Sequence, residues 1–320
     1  MLQSESVSRI AIVGTGVIGA SWAALFVARG LQVVATDPAP GAEENLRRAV
    51  DLAWEPLSSL GSSAGASPKN LEFTLDLERA LSSADFVQEN GPERLDFKVK
   101  LFADIDRLTP AGSIIASSSS GLRMTAVQAE CSHPERCVIG HPFNPPHLMP
   151  LVEVVGGQKT AAQAIERTIA FYRSIGKEPI RLHKEVAGHV ANRLQAALYR
   201  EIAYLIAQGV VTVADADDAV SWGPGLRWAV MGPNLIFHLG GGEGGIRHFM
   251  EHLAGPMTAM WKDLGSLTEL TPELRRTIVD GVIHEAGARS VEELEKERDE
   301  LLLGILRLRE ESKRGKAGAK

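Results

Sequence analysis

Residues 9–19 read RIAIVGTGVIG, and this stretch decides the fold. Arg9 to Val13 is a β-branched apolar run that predicts a strand, and Val17 to Arg29 carries a helical pattern. Between them lies Gly14-Thr15-Gly16-Val17-Ile18-Gly19, a GxGxxG at a strand-to-helix turn. In that setting Gly14 permits the tight turn and Gly16 lets the backbone approach a pyrophosphate. Gly19 lets helix and strand pack closely, with the helix N-terminus facing the anion. Gly14, Gly16, Val17, Ile18 and Gly19 are therefore candidate cofactor-binding residues. The next β-branched run, Gln32 to Thr36, ends on Asp37, roughly eighteen residues after Gly19, where an acidic side chain accepts hydrogen bonds from an adenosine ribose. A carboxylate there repels a 2′-phosphate, and Pro38-Ala39-Pro40 supplies no cation, so NAD is expected over NADP. The structural alternative is a turn residue before Pro38.

Outward from this unit the first half keeps alternating. A helix begins near Ala42; strands are expected at Phe86 to Glu89, Ser113 to Ala116 and Val138 to His141, with a helix from Arg94 to Leu108. That order implies parallel strands joined by crossover helices, an α/β doubly wound sheet of Rossmann type. The stretch Gly61 to Ser67 has the composition of a surface loop. From Gly188 the character changes: Val190, Leu194, Leu198, Ile202 and Leu205 recur at helical spacing, Gly209 is a stop signal, and no strand is expected afterwards. We place a boundary near Val186, giving a 1–186 NAD-binding domain and a 187–320 all-helical domain for substrate binding and dimerisation. The last helix is expected from Val291 to Glu311, with Leu294, Leu301, Ile305 and Leu308 on one face, and the tail Ser312 to Lys320 is expected to be disordered. There is no internal repeat.

Bulk properties exclude other classes. The chain has 320 residues, 44% hydrophobic and 23% charged, with a formal net charge of -6. Such a balance gives no basic stripe for nucleic acid. The apolar run Ile10 to Val27 is broken by glycines and led by Glu5 and a single Arg9, so neither a secretory leader nor a membrane span is expected, and the default location is cytoplasmic. Cys131 and Cys137 lack metal-site spacing and read as reduced thiols.

The catalytic stretch is His141-Pro142-Phe143-Asn144-Pro145-Pro146, followed by Leu151-Val152-Glu153-Val154-Val155. A carboxylate inside an apolar run needs a partner, because a buried unpaired charge is costly. His141 is the evident one. A carboxylate that fixes an imidazole tautomer and stabilises imidazolium makes a general base for a hydroxyl proton.

At these residues the sequence resembles the 3-hydroxyacyl-CoA dehydrogenase superfamily over nearly its whole length, through GTGVIG, PERLDFKVKLF, SSSSGL, HPFNPPHLMPLVEVVGG and KEVAGHVANRL in that order. Within it, DPAPGAE, HPERC, GLRW, RHFM and GARS are similar to the L-carnitine 3-dehydrogenase branch. KEVAG, NRLQ and GP are also similar to the L-gulonate 3-dehydrogenase branch, the lambda-crystallin relatives. The resemblance implies NAD-dependent oxidation of a 3-hydroxy acid to the 3-oxo acid, with carnitine as first substrate and gulonate or 3-hydroxybutyryl-CoA as alternatives. It implies His141 as base, Glu153 as its orienting partner, Ser120 and Asn192 as hydrogen-bond partners of the reacting oxygen, and Glu93 and Lys98 near the nicotinamide ribose. Ser118 stands where many relatives have Asn and His189 where they usually have Phe; both departures bear on the substrate. A homodimer through the helical domain is also implied.

Arg227 and Trp228 put a guanidinium beside an indole. An arginine clamps a carboxylate bidentately and an aromatic face holds a quaternary ammonium, so these two, with Phe143, Asn144, His189, Trp222 and Tyr199, are substrate candidates. The alternative packs the aromatics into a domain core and leaves Arg227 a surface ion-pair residue. Gly240-Gly241-Gly242-Glu243-Gly244-Gly245 is expected to be a mobile flap or connector. A competing class rests on His248-Phe249-Met250-Glu251-His252, the HxxEH pattern of inverted zinc proteases, which needs a third ligand such as Glu269 or Glu285. A third reading is a non-catalytic, crystallin-like NAD-binding protein. Our expectation is a dehydrogenase with no metal.

Overall fold

The computed structural model describes residues 7–61 and 63–317. Eight strands form one sheet in the order β3-β2-β1-β4-β5-β6-β7-β8. They are β1 (Arg9–Val13), β2 (Gln32–Thr36), β3 (Leu71–Phe73), β4 (Phe86–Glu89), β5 (Ile114–Ser117), β6 (Cys137–Pro142), β7 (Leu151–Gly156) and β8 (Glu178–Arg181). Both faces are covered, which is why β1 and β5 read as near-continuous apolar runs, RIAIV and IIAS. Along β1, Ile10 and Ile12 join the cluster under α1 (Val17–Ala28), α2 (Ala42–Ser59) and α6 (Ala162–Ser174), whereas Ala11 and Val13 join the cluster under α3 (Leu77–Leu81), α4 (Leu95–Leu108) and α5 (Met124–Val127). Helix α1 is buried from Gly19 to Ala28, so it carries almost no polar face. Its Trp22 stacks on Phe26 at 5.2 Å and on Tyr172 at 5.5 Å.

The sheet departs from an all-parallel expectation at one place. β6 and β7 run antiparallel, because the eight residues 143–150 that join them are too few for a crossover, which takes about a dozen. Three further strands, β3, β7 and β8, extend the sheet beyond those expected. Of the loop expected at Gly61 to Ser67, Ser62 lies outside the described residues; the Ser63 and Ser67 amides tie the rest to the end of α1 by hydrogen bonds to the Ala28 and Val27 carbonyls.

The chain divides into two compact units, Met1–Arg193 and Leu194–Lys320. Helix α7 (Ala191–Ala207) runs from the end of the first into the second and stops at Gly209, whose φ is +68°. The second unit contains α8 (Val213–Ser221), α9 (Pro224–Trp228), α10 (Pro233–Gly240), α11 (Gly245–Asp263), α12 (Pro272–Ala286) and α13 (Val291–Ala317), with no strand among the described residues. Its buried cluster is small: Ala203, Ile206, Val213, Ala216 and Leu274.

Of the two readings of the glycine run 240–245, the structure shows the connector: the run ends α10, makes a 3-10 turn at Gly242–Gly244 and opens α11. Glycines are required because the reversal is tight: a Cβ on Gly241 would lie 1.8 Å from the Gly245 carbonyl oxygen. Phe237 then stacks on Phe249 at 4.7 Å and fastens the turn. The tail expected to be disordered is helical as far as Ala317, because α13 simply continues through its charged last turns; residues 318–320 lie outside the described residues. No helix among the described residues is long and apolar enough to cross a membrane.

Candidate active site

The glycine loop has the geometry its spacing implies. Gly14 has a φ of +89° and a Cβ there would come within 2.9 Å of the Asn90 backbone, while a Cβ on Gly19 would lie 1.9 Å from the Gly14 carbonyl oxygen. Gly16, in contrast, has nothing within 4 Å of its Cβ position, an open approach to the backbone. Helix α1 begins with no side-chain cap and no acid in its first turn, so its free amides and positive dipole end are available to an anion. Val17, 75% exposed, stands at this mouth, and Ile18 behind it packs on the core. Asp37 ends beside the loop: its Oδ2 accepts from the Thr15 amide at 2.7 Å and hydroxyl at 3.2 Å, and its Oδ1 from the Ala39 amide at 2.9 Å. With Oδ2 accepting twice and Oδ1 once, Oδ1 retains a lone-pair site for a ribose hydroxyl. The cradle fits a dinucleotide.

The PERLDFK segment separates into two roles. Lys98 is buried, with Nζ donating to both oxygens of Glu89 at 2.7 and 2.8 Å and to the Gly91 carbonyl at 3.1 Å. Glu89 Oε2 also accepts from the Ser117 hydroxyl at 2.6 Å. Glu93 is half exposed and accepts at Oε1 from the Ser119 hydroxyl at 2.7 Å and the Gly121 amide at 2.8 Å. Burial works to raise its pKa, but these donors and the Lys98 charge 3.9 Å away outweigh it and hold the carboxyl below its ordinary value.

His141 and Glu153 are direct register partners across the antiparallel β6–β7 pair, which turns their side chains to the same face. Nδ1 of His141 lies 2.9 Å from Glu153 Oε2, and both residues are buried. Glu153 Oε1 accepts from the Val190 amide at 2.8 Å and the Ala191 amide at 3.0 Å, at the start of α7. Burial raises the Glu153 pKa, yet His141 and the two amides more than compensate, so it is held below its ordinary value. A carboxylate only accepts, so the proton sits on Nδ1 and Nε2 keeps its lone pair. Phe143 meets the ring edge-on at 5.8 Å and His189 lies 5.1 Å from it. Asn144, exposed, begins the cis Asn144–Pro145 bond. Asn192 donates to the Ser120 carbonyl at 3.3 Å, leaving Ser120 exposed. The arrangement can take a proton from a hydroxyl while an anion holds the resulting imidazolium.

Sequence reasoning missed the polar network behind this face. Ser118 donates to Asn90 Oδ1 at 2.7 Å and accepts from Gln88 at 2.8 Å and Trp22 at 3.2 Å; Tyr172 donates to Gln88 Oε1 at 2.6 Å. It also missed the tethers on the 143–150 link. Lys177 donates to the Pro146 and Met149 carbonyls, and the Ser21 hydroxyl accepts from the His147 amide at 2.8 Å. No motif flags such pairs, because each joins residues far apart in sequence.

In the second unit Tyr199, Trp222, Arg227 and Trp228 are all exposed, Trp222 at 77%. The core-packing alternative for these aromatics is thereby overturned, and Arg227 has no ion-pair partner among the described residues. His248 and His252 lie with ring centroids 4.1 Å apart on α11, but no group of three potential metal ligands exists among the described residues. The zinc-protease reading lacks its third ligand, Glu269 and Glu285 included.

Comparison with known proteins agrees with this geometry. Residues 9–186 match the family described as 3-hydroxyacyl-CoA dehydrogenase, NAD binding domain, and residues 188–280 match its C-terminal domain. An L-carnitine dehydrogenase of Streptomyces griseus is 50% identical over 307 residues, covering 95% of this chain and 90% of that one. An L-carnitine dehydrogenase of a Pseudomonas species is 46% identical over 94% of this chain and 93% of its own length. Among solved structures, 5-formyl-3-hydroxy-2-methylpyridine 4-carboxylic acid 5-dehydrogenase, an NAD+-dependent dismutase, superposes with a TM-score of 0.83 at 34% identity, covering 95% of this chain and 98% of that one. The 3-hydroxybutyryl-CoA dehydrogenase of Escherichia coli K12 gives 0.66 at 28%, covering 86% of this chain and 57% of that one. With a glycine cradle, Asp37 beside it and a buried imidazole–carboxylate pair, the chain belongs to the 3-hydroxyacyl-CoA dehydrogenase family, as an NAD-dependent oxidoreductase acting on a CH–OH group.

Proposed function

We propose that this enzyme oxidises the 3-hydroxyl of L-carnitine to give 3-dehydrocarnitine. The observation that carries the reading is the buried His141–Glu153 pair, 2.9 Å apart, in a chain about half identical to L-carnitine dehydrogenases over nearly its full length. NAD, when bound, supplies the hydride acceptor. Gly14, Gly16, Val17, Ile18 and Gly19 hold its pyrophosphate at the α1 N-terminus and Asp37 its adenosine ribose; Glu93 serves the nicotinamide ribose, with Lys98 acting on Glu93 from behind. His141 Nε2 takes the hydroxyl proton as the C–H bond gives up its hydride, so the alcohol carbon becomes a carbonyl. Glu153 keeps the imidazole in the reactive tautomer and stabilises the imidazolium. Ser120 and Asn192 orient the reacting oxygen.

In the second unit, Arg227 is assigned to the substrate carboxylate and Trp222 and Trp228 to the trimethylammonium end; in the first, Phe143, Asn144 and His189 are assigned to shaping the substrate side of His141. The exposure of both tryptophans supports a ligand-facing role. The helical unit's open apolar surface supports a homodimer, and a cytoplasmic location accords with buried, reduced Cys131 and Cys137. The test is NADH formation, followed by the absorbance of the reduced nicotinamide, with carnitine, gulonate, 3-hydroxybutyrate and 3-hydroxybutyryl-CoA in parallel. Carnitine is expected to give the highest kcat/KM; a higher value for the thioester or for gulonate reassigns the substrate and leaves the chemistry in place.

A further inference from the structure

His189 carries two features that oppose folding. Among the described residues it is the one non-glycine with a positive φ, +50°, in the region that favours glycine. Its ring is buried, with 2% of the residue exposed, and Nε2 lies 2.9 Å from the Ser119 carbonyl. A carbonyl only accepts, so Nε2 carries the proton and Nδ1 is a bare acceptor. Nδ1 is the one buried side-chain nitrogen or oxygen among the described residues with no hydrogen-bond partner. Outliers of this kind persist where the surroundings hold them in place, and they cluster at functional sites.

The turn they belong to has a definite product. Gly188 (φ +73°) and His189 are two successive left-handed residues, and they reverse the chain just before α7. As a result the Val190 and Ala191 amides point at Glu153 Oε1, at 2.8 and 3.0 Å, while the His189 ring packs on His141 at 5.1 Å. We propose that His189 is a positioning residue of the His141–Glu153 pair: its bond to Ser119 pins the left-handed turn that delivers two amides to Glu153. The inference rests on the reading of His141 as the base.

A sign follows from the charges around the pair. Facing His141 and His189 are Glu153 from β7 and Glu93 from the loop before α4, the latter with Lys98 beside it. Burial first, and the neighbouring His141 as well, push the His189 pKa below its ordinary value against the opposing bond to Ser119. His189 is therefore neutral, and removing it deletes no charge. What changes is Glu153: without the two amides its negative charge is less shared and grips the imidazolium more tightly. The base then stays protonated to higher pH.

The experiment titrates the His141 ring by NMR in the free enzyme, alongside the pH profile of kcat/KM for 3-hydroxy acid oxidation. His189→Ala removes the Ser119 bond; its His141 midpoint and the acid limb of its profile are expected to rise by about one pH unit, with NAD affinity within about twofold of the parent. In His189→Gln the amide nitrogen reaches the place of Nε2 and keeps the bond, so its midpoint should stay with the parent. Should the Ala variant fold poorly, His189→Asn tolerates the left-handed backbone but is too short to reach Ser119, and a smaller upward shift is expected. An unchanged or lowered midpoint in the Ala and Asn variants overturns the proposal, as does a Gln variant that behaves like Ala. Because the ring titration needs no substrate, loss of the carnitine assignment would appear separately, as a parent enzyme that makes no NADH from it.

Discussion

The two units of this chain solve the burial problem differently. In Met1–Arg193 both faces of the sheet are closed by helices and the largest apolar side chains, among them Trp22, Phe26, Phe86, Phe102 and Tyr172, are essentially inaccessible. In Leu194–Lys320 the buried cluster holds only small or aliphatic residues, and most of the large apolar side chains that stand exposed among the described residues belong to this unit. On α11, Met250, Leu253, Met260 and Trp261 form an exposed stripe at helical spacing, and α12 adds Val279, Val282 and Ile283. Exposed apolar side chains grouped in this way are the kind of surface that interaction sites use. A closed core holds chemical groups in fixed positions; an open helical face is adapted to binding.

The comparison assigns the chemistry to the closed unit, and its strongest break comes from the base. His141→Gln keeps a polar side chain of similar size but cannot take up a proton. A loss of about 10²- to 10⁴-fold in kcat is expected, with NAD affinity in the binary complex within about twofold, since the glycine cradle is untouched. Stopped-flow turnover and fluorescence titration with NADH check both halves. Turnover near the parent value would take the reaction away from this unit.

Much of the closed unit was legible because its signals are local. RIAIVGTGVIG places strand, turn and helix within eleven residues, and an acid in LVEVV demands a partner, which the register supplies at His141. What escaped is non-local or short. β3 and β8 are LEF and EPIR, too brief for a period-2 pattern, and the direction of β7 follows from link length. Lys98 was read toward the cofactor, but its partner Glu89 lies one strand end away and withdraws it from solvent. The run SSSS hides four environments: Ser117 binds Glu89, Ser118 joins the Gln88 network, Ser119 holds Glu93, and Ser120 is exposed. The glycine run 240–245 left flap and connector open, because glycine frequency alone does not tell whether side chains such as Phe237 and Phe249 pack across the turn.

A second, smaller effect sharpens the picture of the closed core, because that core contains a titratable amine. Lys177 is buried with Nζ 4.9 Å from the Trp22 ring. Burial, and then the neighbouring Arg29, lower its pKa to about 7. In the unfolded chain the group titrates in the ordinary lysine range, about 10.4. Between those values the unfolded state binds a proton that the folded state does not, so stability rises with pH across the window and is level below it. Relative to Lys177→Met, the parent should therefore gain roughly 1 kcal/mol per pH unit between about 7.5 and 9. Urea unfolding of both proteins at the two pH values measures this; a constant difference would mean that the amine stays charged throughout, held by the Pro146 and Met149 carbonyls.

The smallest expected effect tests the open face. Trp261 is 62% exposed on α11, so within one chain its removal opens little cavity and strips few contacts. If a second copy of the chain covers the stripe, Trp261→Ser should weaken association about tenfold or more, because buried tryptophans dominate interface energies. The dissociated chain should meanwhile lose under about 1 kcal/mol, as surface substitutions do. Sedimentation across a concentration series reads the first quantity, and urea unfolding at the dilute end reads the second. A dilute-chain loss of about 3 kcal/mol or more, the size of a deleted core aromatic, would mean that the indole is already packed within the chain. The two units would then differ in composition but not in how completely they are closed.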